Sequence, residues 1–384
     1  MAKEKDVQRV IAHNRSDKPE NVVKHEAEIF QECEEIEAIL PKFLRSFFIY
    51  LRGNVLPMTR LNYLRDIRLF CEYLCRETIL TDAKEPIDIS IKEFNKIKAK
   101  DINSYIDYCR HYSITKDGVT NIYENNNKTL ARKKSSVSVM FKHLYRDELI
   151  EKNITDGFDP IRVQKASEKE IKALQDDEVM IMLDAVSTGV GLTEREKGYW
   201  EKTKLRDKAI LILFLTYGLR LSELWQLNIS SFNFNRGEFK IYRKRGKESV
   251  MPINDSVNAV IHDYINNERL SDDRVVAGNE DALFLSLQGK RMTERQIREL
   301  VKKYTAIALK TSKAGGYSPH KLRATAATSL IGRGNSIYDV AALLDHEQVT
   351  TTQLYARQKQ GIKRDLVKGM EWEKERIEGW KEED

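Results

Sequence analysis

The stretch Tyr217-Gly218-Leu219-Arg220-Leu221-Ser222-Glu223-Leu224 decides how the second half of this chain folds. A helical apolar repeat runs from Leu205 to Tyr217, and Gly218 suits the left-handed position that commonly follows a helix. The pattern therefore predicts a helix that ends at Gly218, with Arg220 just beyond the helix end.

A small antiparallel sheet is predicted directly after this stretch. Period-two alternation from Glu238 to Arg243 is typical of a half-buried strand, and 232–234 and 249–253 supply its neighbours across short turns. Lys244 would then lie at the tip of a basic hairpin turn. Helical repeats make the remainder mostly helical, with predicted helices at 174–183, 293–309, 321–331 and 336–344.

Three short motifs near the C-terminus carry side chains suited to chemistry on a phosphodiester. They read Ser318-Pro319-His320-Lys321-Leu322-Arg323, then Leu343-Leu344-Asp345-His346, then Thr351-Thr352-Gln353-Leu354-Tyr355. Together they offer an attacking oxygen, cations for the phosphate charge and a proton carrier, which is what DNA cleavage needs without a metal. Taken singly, each residue has an ordinary alternative: a packing tyrosine, a capping histidine, an arginine in a salt bridge or a solvated turn lysine. As an ordered set they favour chemistry over coincidence.

The first part of the chain predicts a polar leader, residues 1–35, followed by four helices. Helical apolar repeats run over 40–51 and 64–74, a third helix opens at Asp101 as its N-cap, and a fourth runs from about Lys128 to Tyr145. Residues 153–174 are typical of an extended linker, which places the domain boundary there.

The fourth of these helices is rich in basic residues. Small polar residues that suit phosphates or base edges accompany its cations, so we predict that it contacts DNA through Arg132, Lys133, Lys134 and Lys142. The alternative is a solvated surface.

Length and charge limit the classes of protein to which this chain can belong. A chain of 384 residues fits two domains, and a net charge of +6 with a pI of about 8.8 allows a nucleic-acid partner without proving one. The four cysteines lack metal-ligand spacing, and Cys71 and Cys75, four apart on an apolar helix pattern, are predicted to be buried thiols. No signal core or apolar run of bilayer length occurs, so we predict a reduced, cytoplasmic protein without a membrane segment, metal or other cofactor.

Five motifs, in order, resemble the hallmarks of the tyrosine recombinase family, which includes phage integrases, Cre and the Xer recombinases. They are the 217–224 box, the hairpin Lys244, His320-x-x-Arg323, the box ending in His346, and the downstream Tyr355. The layout is most similar to the XerS-type recombinases that act alone. The resemblance implies a mainly α (α+β) fold. It would comprise a four-helix, SAM-like core-binding domain at 36–152 and a mostly helical catalytic domain at 175–384, with a small antiparallel β-sheet and a docking tail at 361–384.

The resemblance also implies a role for each motif residue. Tyr355 is the nucleophile, whose attack leaves a 3′-phosphotyrosyl bond and a free 5′-hydroxyl. No ATP or metal is required, because the new bond is about as energetic as the one broken. The remaining roles are charge neutralisation by Arg220, Arg323 and His346, proton uptake or relay by His320, and protonation of the leaving oxygen by Lys244.

Two positions depart from the family pattern. Ala324 stands where many members have a further histidine, and Asp345 stands where most have glycine. Ala324 removes no assigned catalytic group. Asp345 is expected to pair with a nearby cation and to weaken the positive site.

The predicted function is site-specific recombination of duplex DNA through a Holliday junction, with chromosome-dimer resolution as its use. The predicted assembly is a homotetramer on two specific DNA sites, and the need for an accessory activating protein stays open. Three alternatives remain: an integrase or excisionase of a mobile element, a type IB topoisomerase-like enzyme, and a DNA-binding regulator without catalysis.

Overall fold

The computed structural model describes residues 18–164, 171–243, 246–270, 272–345 and 352–353. These residues form two compact units, divided between positions 166 and 167. The division falls inside the predicted linker, but the linker is shorter than the sequence suggests. Phe158 is buried in the core of the first unit and Leu174 in the core of the second. No helix among the described residues is long and apolar enough to cross a bilayer.

The first unit is a helical bundle that carries a β-hairpin. In its core α1 packs on α3, and α3 packs on α6, around fully buried aromatic side chains such as Phe70 and Phe141. Its elements in chain order are α1 (Glu20–Ala38), α2 (Arg45–Asn54), α3 (Pro57–Glu77), α4 (Ile91–Phe94), α5 (Ala99–Tyr108), β1 (His111–Lys116), β2 (Val119–Glu124) and α6 (Asn127–Arg146).

The prediction of a polar leader at 1–35 is corrected, because α1 begins at Glu20 and occupies much of this range. Ion pairs fasten α1 to α3: Glu37 Oε1 lies 2.7 Å from Arg60 Nη2, and Glu32 Oε1 lies 2.6 Å from Arg65 Nη2. The buried stripe is narrow, and the charged composition around it hides the helical period from the sequence. The stripe consists of Val22, Ile29, Cys33 and Ile36.

Two further details of the first unit differ from the prediction. Helix α5 begins at Ala99, so Asp101 is not its N-cap; the Asp101 carboxylate accepts a hydrogen bond from the Lys98 backbone N–H at 2.8 Å. The hairpin β1–β2 is not predicted at all. Its register pairs Tyr112 with Tyr123, whose ring centroids lie 4.9 Å apart. Every residue of β2 is exposed. The alternation of buried and exposed positions by which a strand is predicted from sequence is therefore missing from β2.

The second unit is mostly helical with one three-stranded antiparallel sheet, ordered β3-β4-β5. The predicted fold class, mainly α with a small antiparallel sheet, is confirmed. The elements are α7 (Asp176–Thr188), α8 (Glu194–Trp200), α9 (Lys204–Tyr217), α10 (Leu221–Trp225), β3 (Phe232–Asn233), β4 (Glu238–Tyr242), β5 (Glu248–Pro252), α11 (Asp255–Asn267), α12 (Glu294–Ala308), α13 (Pro319–Gly332) and α14 (Ile337–Leu344).

Helix α9 is the central helix of this unit. It packs against α7, α11 and α13, and residues such as Ile210, Leu213 and Phe214 have no exposed surface. Because α9 is anchored on several sides, the residues that follow its end are held in a fixed position.

Candidate active site

The candidate site begins where α9 ends. Gly218 has a φ of +57°, as the sequence predicts for a helix end, and Arg220 follows as the N-cap of α10. The buried Glu223 carboxylate accepts hydrogen bonds from the Arg220 backbone N–H at 2.8 Å and from Arg220 Nη1 at 2.6 Å. One acid therefore caps the short helix and orients the arginine side chain.

Gly218 lets three helices meet at this point. A β-carbon added at Gly218 would lie 2.5 Å from Leu344 Cδ2, so the buried Leu344 side chain would have to move. The Gly218 carbonyl accepts a hydrogen bond from Arg323 Nη1 at 2.7 Å. The glycine thus supplies the left-handed backbone, the close approach and an acceptor for a predicted catalytic arginine.

Arg323 and His320 lie one turn apart on α13. Arg323 is only 3% exposed, and its Nη2 donates to the Leu344 carbonyl at 2.5 Å. His320 is exposed in the first turn of the helix. Burial lowers the pKa of the adjacent Lys321, and the positive charge of Lys172 lowers it further.

Three arginines from separate elements share the C-terminal end of α14. Arg243 Nη2 donates to the Leu343 carbonyl at 2.9 Å, Arg323 donates to the Leu344 carbonyl, and Arg220 Nη2 donates to the Asp345 carbonyl at 3.0 Å. The last carbonyls of a helix lack intrahelical partners and carry partial negative charge. They therefore suit guanidinium groups and hold these cations together.

Arg243 is not among the residues predicted from the sequence, although the sequence carries a signal for it. Phe239 and Ile241 are the buried residues of β4, and Arg243 continues their alternation just past the end of the strand. An arginine at an inward position of a strand pattern needs a buried acceptor, and the end of α14 provides one.

Asp345 pairs with cations, as the sequence analysis expects. Its Oδ2 lies 3.8 Å from Arg220 Nη1 and 3.9 Å from Arg243 Nη1, and its Oδ1 lies 3.3 Å from Lys247 Nζ. The residue has a φ of +52°, in the left-handed region that favours glycine.

Three of the predicted catalytic residues line one cleft of about 500 Å³, namely Arg220, His320 and Arg323. Ser222, Ser318 and Arg298 line the same cleft. The arrangement offers fixed cations and hydroxyl groups to an anionic ligand. Lys244, His346 and Tyr355 lie outside the described residues.

The predicted DNA-contact residues of α6 have different surroundings. Lys133 is buried, and its Nζ lies 3.3 Å from the buried Asp66 Oδ1. This corrects the prediction for Lys133, because a buried, paired ammonium group cannot reach DNA. Arg132 also pairs with Asp66 but is 45% exposed, Lys134 Nζ donates to backbone carbonyls that include Phe158 at 3.4 Å, and Lys142 is exposed.

Comparison with known proteins gives consistent matches. The model of the phage integrase family matches residues 172–361. The tyrosine recombinase XerC of Natranaerobius thermophilus is 30% identical over 319 residues, which cover 81% of this chain and 92% of that protein. The tyrosine recombinase XerC of Caldanaerobacter subterraneus subsp. tengcongensis is 30% identical over 341 residues, covering 87% of this chain and 86% of that protein.

Solved structures share the fold at low sequence identity. The XerH site-specific recombinase, bound to a palindromic difH substrate in a post-cleavage complex, has a TM-score of 0.58 at 16% identity, covering 94% of this chain and 91% of that one. The Tn1549 transposon integrase, in complex with transposon right end DNA, has a TM-score of 0.54 at 18% identity, covering 88% and 99%. This chain therefore belongs to the phage integrase family, the tyrosine-type site-specific DNA recombinases.

Proposed function

We propose that this recombinase cleaves duplex DNA by attack of the Tyr355 hydroxyl on phosphorus. The phenolic oxygen bonds to phosphorus while the bond to the 5′ oxygen breaks, which leaves a 3′-phosphotyrosyl link and a free 5′-hydroxyl. The 5′-hydroxyl of a partner duplex then attacks the same phosphorus and releases the tyrosine. Strands are thereby exchanged through a Holliday junction. The observation that carries this proposal is the convergence of Arg220, Arg323 and His320 on one cleft.

Stabilisation of the phosphate charge falls to Arg220 and Arg323, two of the arginines that line that cleft. A guanidinium group stays protonated and can donate paired hydrogen bonds to phosphate oxygens. Arg220 is held by Glu223, and Arg323 by the carbonyls of Gly218 and Leu344. Donors fixed before the substrate arrives cost no reorganisation in the transition state, which is where their stabilisation counts.

Proton transfer is assigned to side chains around these arginines. A phenol with an ordinary pKa of about 10 is a weak nucleophile at neutral pH, so the Tyr355 proton needs an acceptor. We propose His320 as that base or relay, since it lines the arginine cleft. Lys244 would protonate the leaving 5′ oxygen, and His346 would add a further donor to the phosphate.

The two units would divide DNA binding and chemistry between them. We propose that the first unit is the core-binding domain, with α1 included, and contacts DNA through Arg132, Lys134 and Lys142. The second unit, with the tail at 361–384, would be the catalytic domain of a tetramer on two sites. The XerH and Tn1549 integrase structures are complexes with DNA, which supports a DNA partner here.

Chromosome-dimer resolution is the proposed biological role, in the cytoplasm. The XerC name of both relatives described above supports it. A transposon integrase shares the fold, so the fold itself does not separate resolution from mobile-element integration. Sequencing the DNA covalently trapped on the protein in cells separates them. A site near the replication terminus indicates a resolvase, and a site beside the gene indicates an integrase.

The proposed chemistry is tested by Tyr355→Phe. This variant should bind site DNA with near wild-type affinity but form no covalent complex, because the attacking oxygen is absent. Tyr338→Phe is the matched control, since Tyr338 is 70% exposed on α14 and has no assigned role. Peptide mapping of the wild-type complex should find nucleotide on Tyr355. Nucleotide on another peptide, or a persistent adduct in Tyr355→Phe, would overturn the assignment.

On substrates with two sites, recombinant products separate a recombinase from an enzyme that only relaxes supercoils.

A further inference from the structure

Asp345 places a carboxylate where the backbone favours a residue without a side chain. Its φ of +52° lies in the left-handed region, where a β-carbon is unfavourable and Asn and Asp are the better tolerated exceptions. The position closes α14 and directly adjoins the candidate site. The geometry of the turn alone therefore does not explain an acidic side chain at this position.

Three cations lie near the Asp345 carboxylate, and one of them, Arg220, lines the cleft. Arg220 and Arg243 approach one oxygen at 3.8 Å and 3.9 Å, and Lys247 approaches the other at 3.3 Å. The two arginine distances are longer than a hydrogen bond, so these pairs are held by charge alone. Glu223, in contrast, holds Arg220 Nη1 at 2.6 Å. The same guanidinium group thus has one tight buried carboxylate and one loose carboxylate, and the loose one is 27% exposed.

We propose that Asp345 is an internal counter-anion that the DNA phosphate must displace. The inference rests on the proposed function, because it takes Arg220 to bind the phosphate that is cleaved. A carboxylate and a phosphate are both anions, so they compete for the same guanidinium charge. Loose pairing lets the carboxylate give way when DNA arrives, while Glu223 keeps Arg220 oriented. Asp345 therefore raises the anion concentration that is needed to occupy the site.

A purely structural role makes the opposite prediction. Lys247 and Arg243 flank the β4–β5 turn, and Asp345 could act only as a tether between that turn and α14. Removing a tether would loosen the site, weaken anion binding and slow cleavage. Removing a competitor would tighten anion binding and speed cleavage. The sign of the effect therefore separates the two roles.

The test compares Asp345→Asn with the wild-type chain in two assays. Asparagine keeps the side-chain shape and tolerates the left-handed backbone, but it removes the charge. The first assay follows the thermal stabilisation of the DNA-free full chain by inorganic phosphate, with chloride at matched ionic strength as reference. We expect Asp345→Asn to bind phosphate about fivefold more tightly, the effect of removing partly exposed ion pairs. The second assay measures covalent complex formation at limiting DNA, where a similar gain is expected.

Two variants make the result decisive. Asp339→Asn removes the same charge from the exposed first turn of α14 and should leave both assays unchanged. Asp345→Gly removes the side chain and relieves the backbone, and it should match Asp345→Asn. Unchanged or weaker phosphate binding in both Asp345 variants would overturn the inference. If the wild-type chain forms no covalent complex at all, the proposed function fails, and the phosphate titration still decides whether Asp345 competes with an anion.

Discussion

Replacing Glu223 by glutamine tests whether one buried carboxylate holds the candidate site together. Glu223 is 2% exposed, and its two oxygens accept from the Arg220 backbone N–H and from Arg220 Nη1. Glutamine keeps one oxygen as an acceptor. Its amide NH2 group replaces the other oxygen and places a donor opposite an N–H donor of Arg220. One charge-assisted hydrogen bond is lost, at a cost of about 1.5–3 kcal/mol. For a domain of ~150–250 residues this lowers the Tm by about 3–12 °C.

Thermal unfolding followed by circular dichroism measures the stability change. Covalent trapping on a nicked DNA substrate measures the chemical step, which we expect to slow by about 10- to 100-fold because Arg220 loses its orienting partner. Glu201→Gln is the matched control: its carboxylate lies 2.9 Å from Lys204 Nζ in an exposed pair, whose loss should change stability by less than about 1 kcal/mol. Equal Tm values for the two variants, or unchanged cleavage in Glu223→Gln, would show that Glu223 does not organise the site.

Two further predictions concern the first unit. Asp66→Asn should destabilise it by about 3–5 kcal/mol in urea unfolding, because the buried Lys133 loses its counter-charge. Adding Lys133→Met should recover part of that loss, and no recovery would mean that Lys133 is not the cause. Burial lowers the pKa of His143, against the opposing effect of Asp147, so the unfolded chain binds a proton that the folded unit resists. Stability should therefore be full above about pH 6.5 and fall below it. His143→Gln should show a smaller loss between about pH 7.5 and about pH 5.5, and equal losses would exclude His143 as the source.

Local sequence patterns predicted those parts of the fold that depend on neighbouring residues. The end of α9 at Gly218 and the pairing of β4 with β5 follow from a helix stop signal and from period-two alternation. Both signals act within a few residues, so no tertiary knowledge is needed. Helix α1 and the β1–β2 hairpin lacked such signals. The first has a narrow apolar stripe among charges, and the second has an exposed strand.

The candidate site was predictable in its residue types but not in its supporting contacts. Motif spacing singled out Arg220, His320 and Arg323, and the structure brings these residues to one cleft. Spacing could not show that Lys133 turns inward to Asp66, since that pair joins α6 to α3 across the bundle. Nor could it show that Arg243 reaches the end of α14, because this contact depends on how the sheet packs.

The hydrogen bonds of three arginines to the C-terminal end of α14 have a mechanical consequence. Arg220, Arg243 and Arg323 belong to different parts of the unit, yet their acceptors are three successive peptide carbonyls. A shift of that single turn would remove one hydrogen-bond acceptor from each of the three arginines at once, while Glu223 would still hold Arg220 and the Gly218 carbonyl would still hold Arg323.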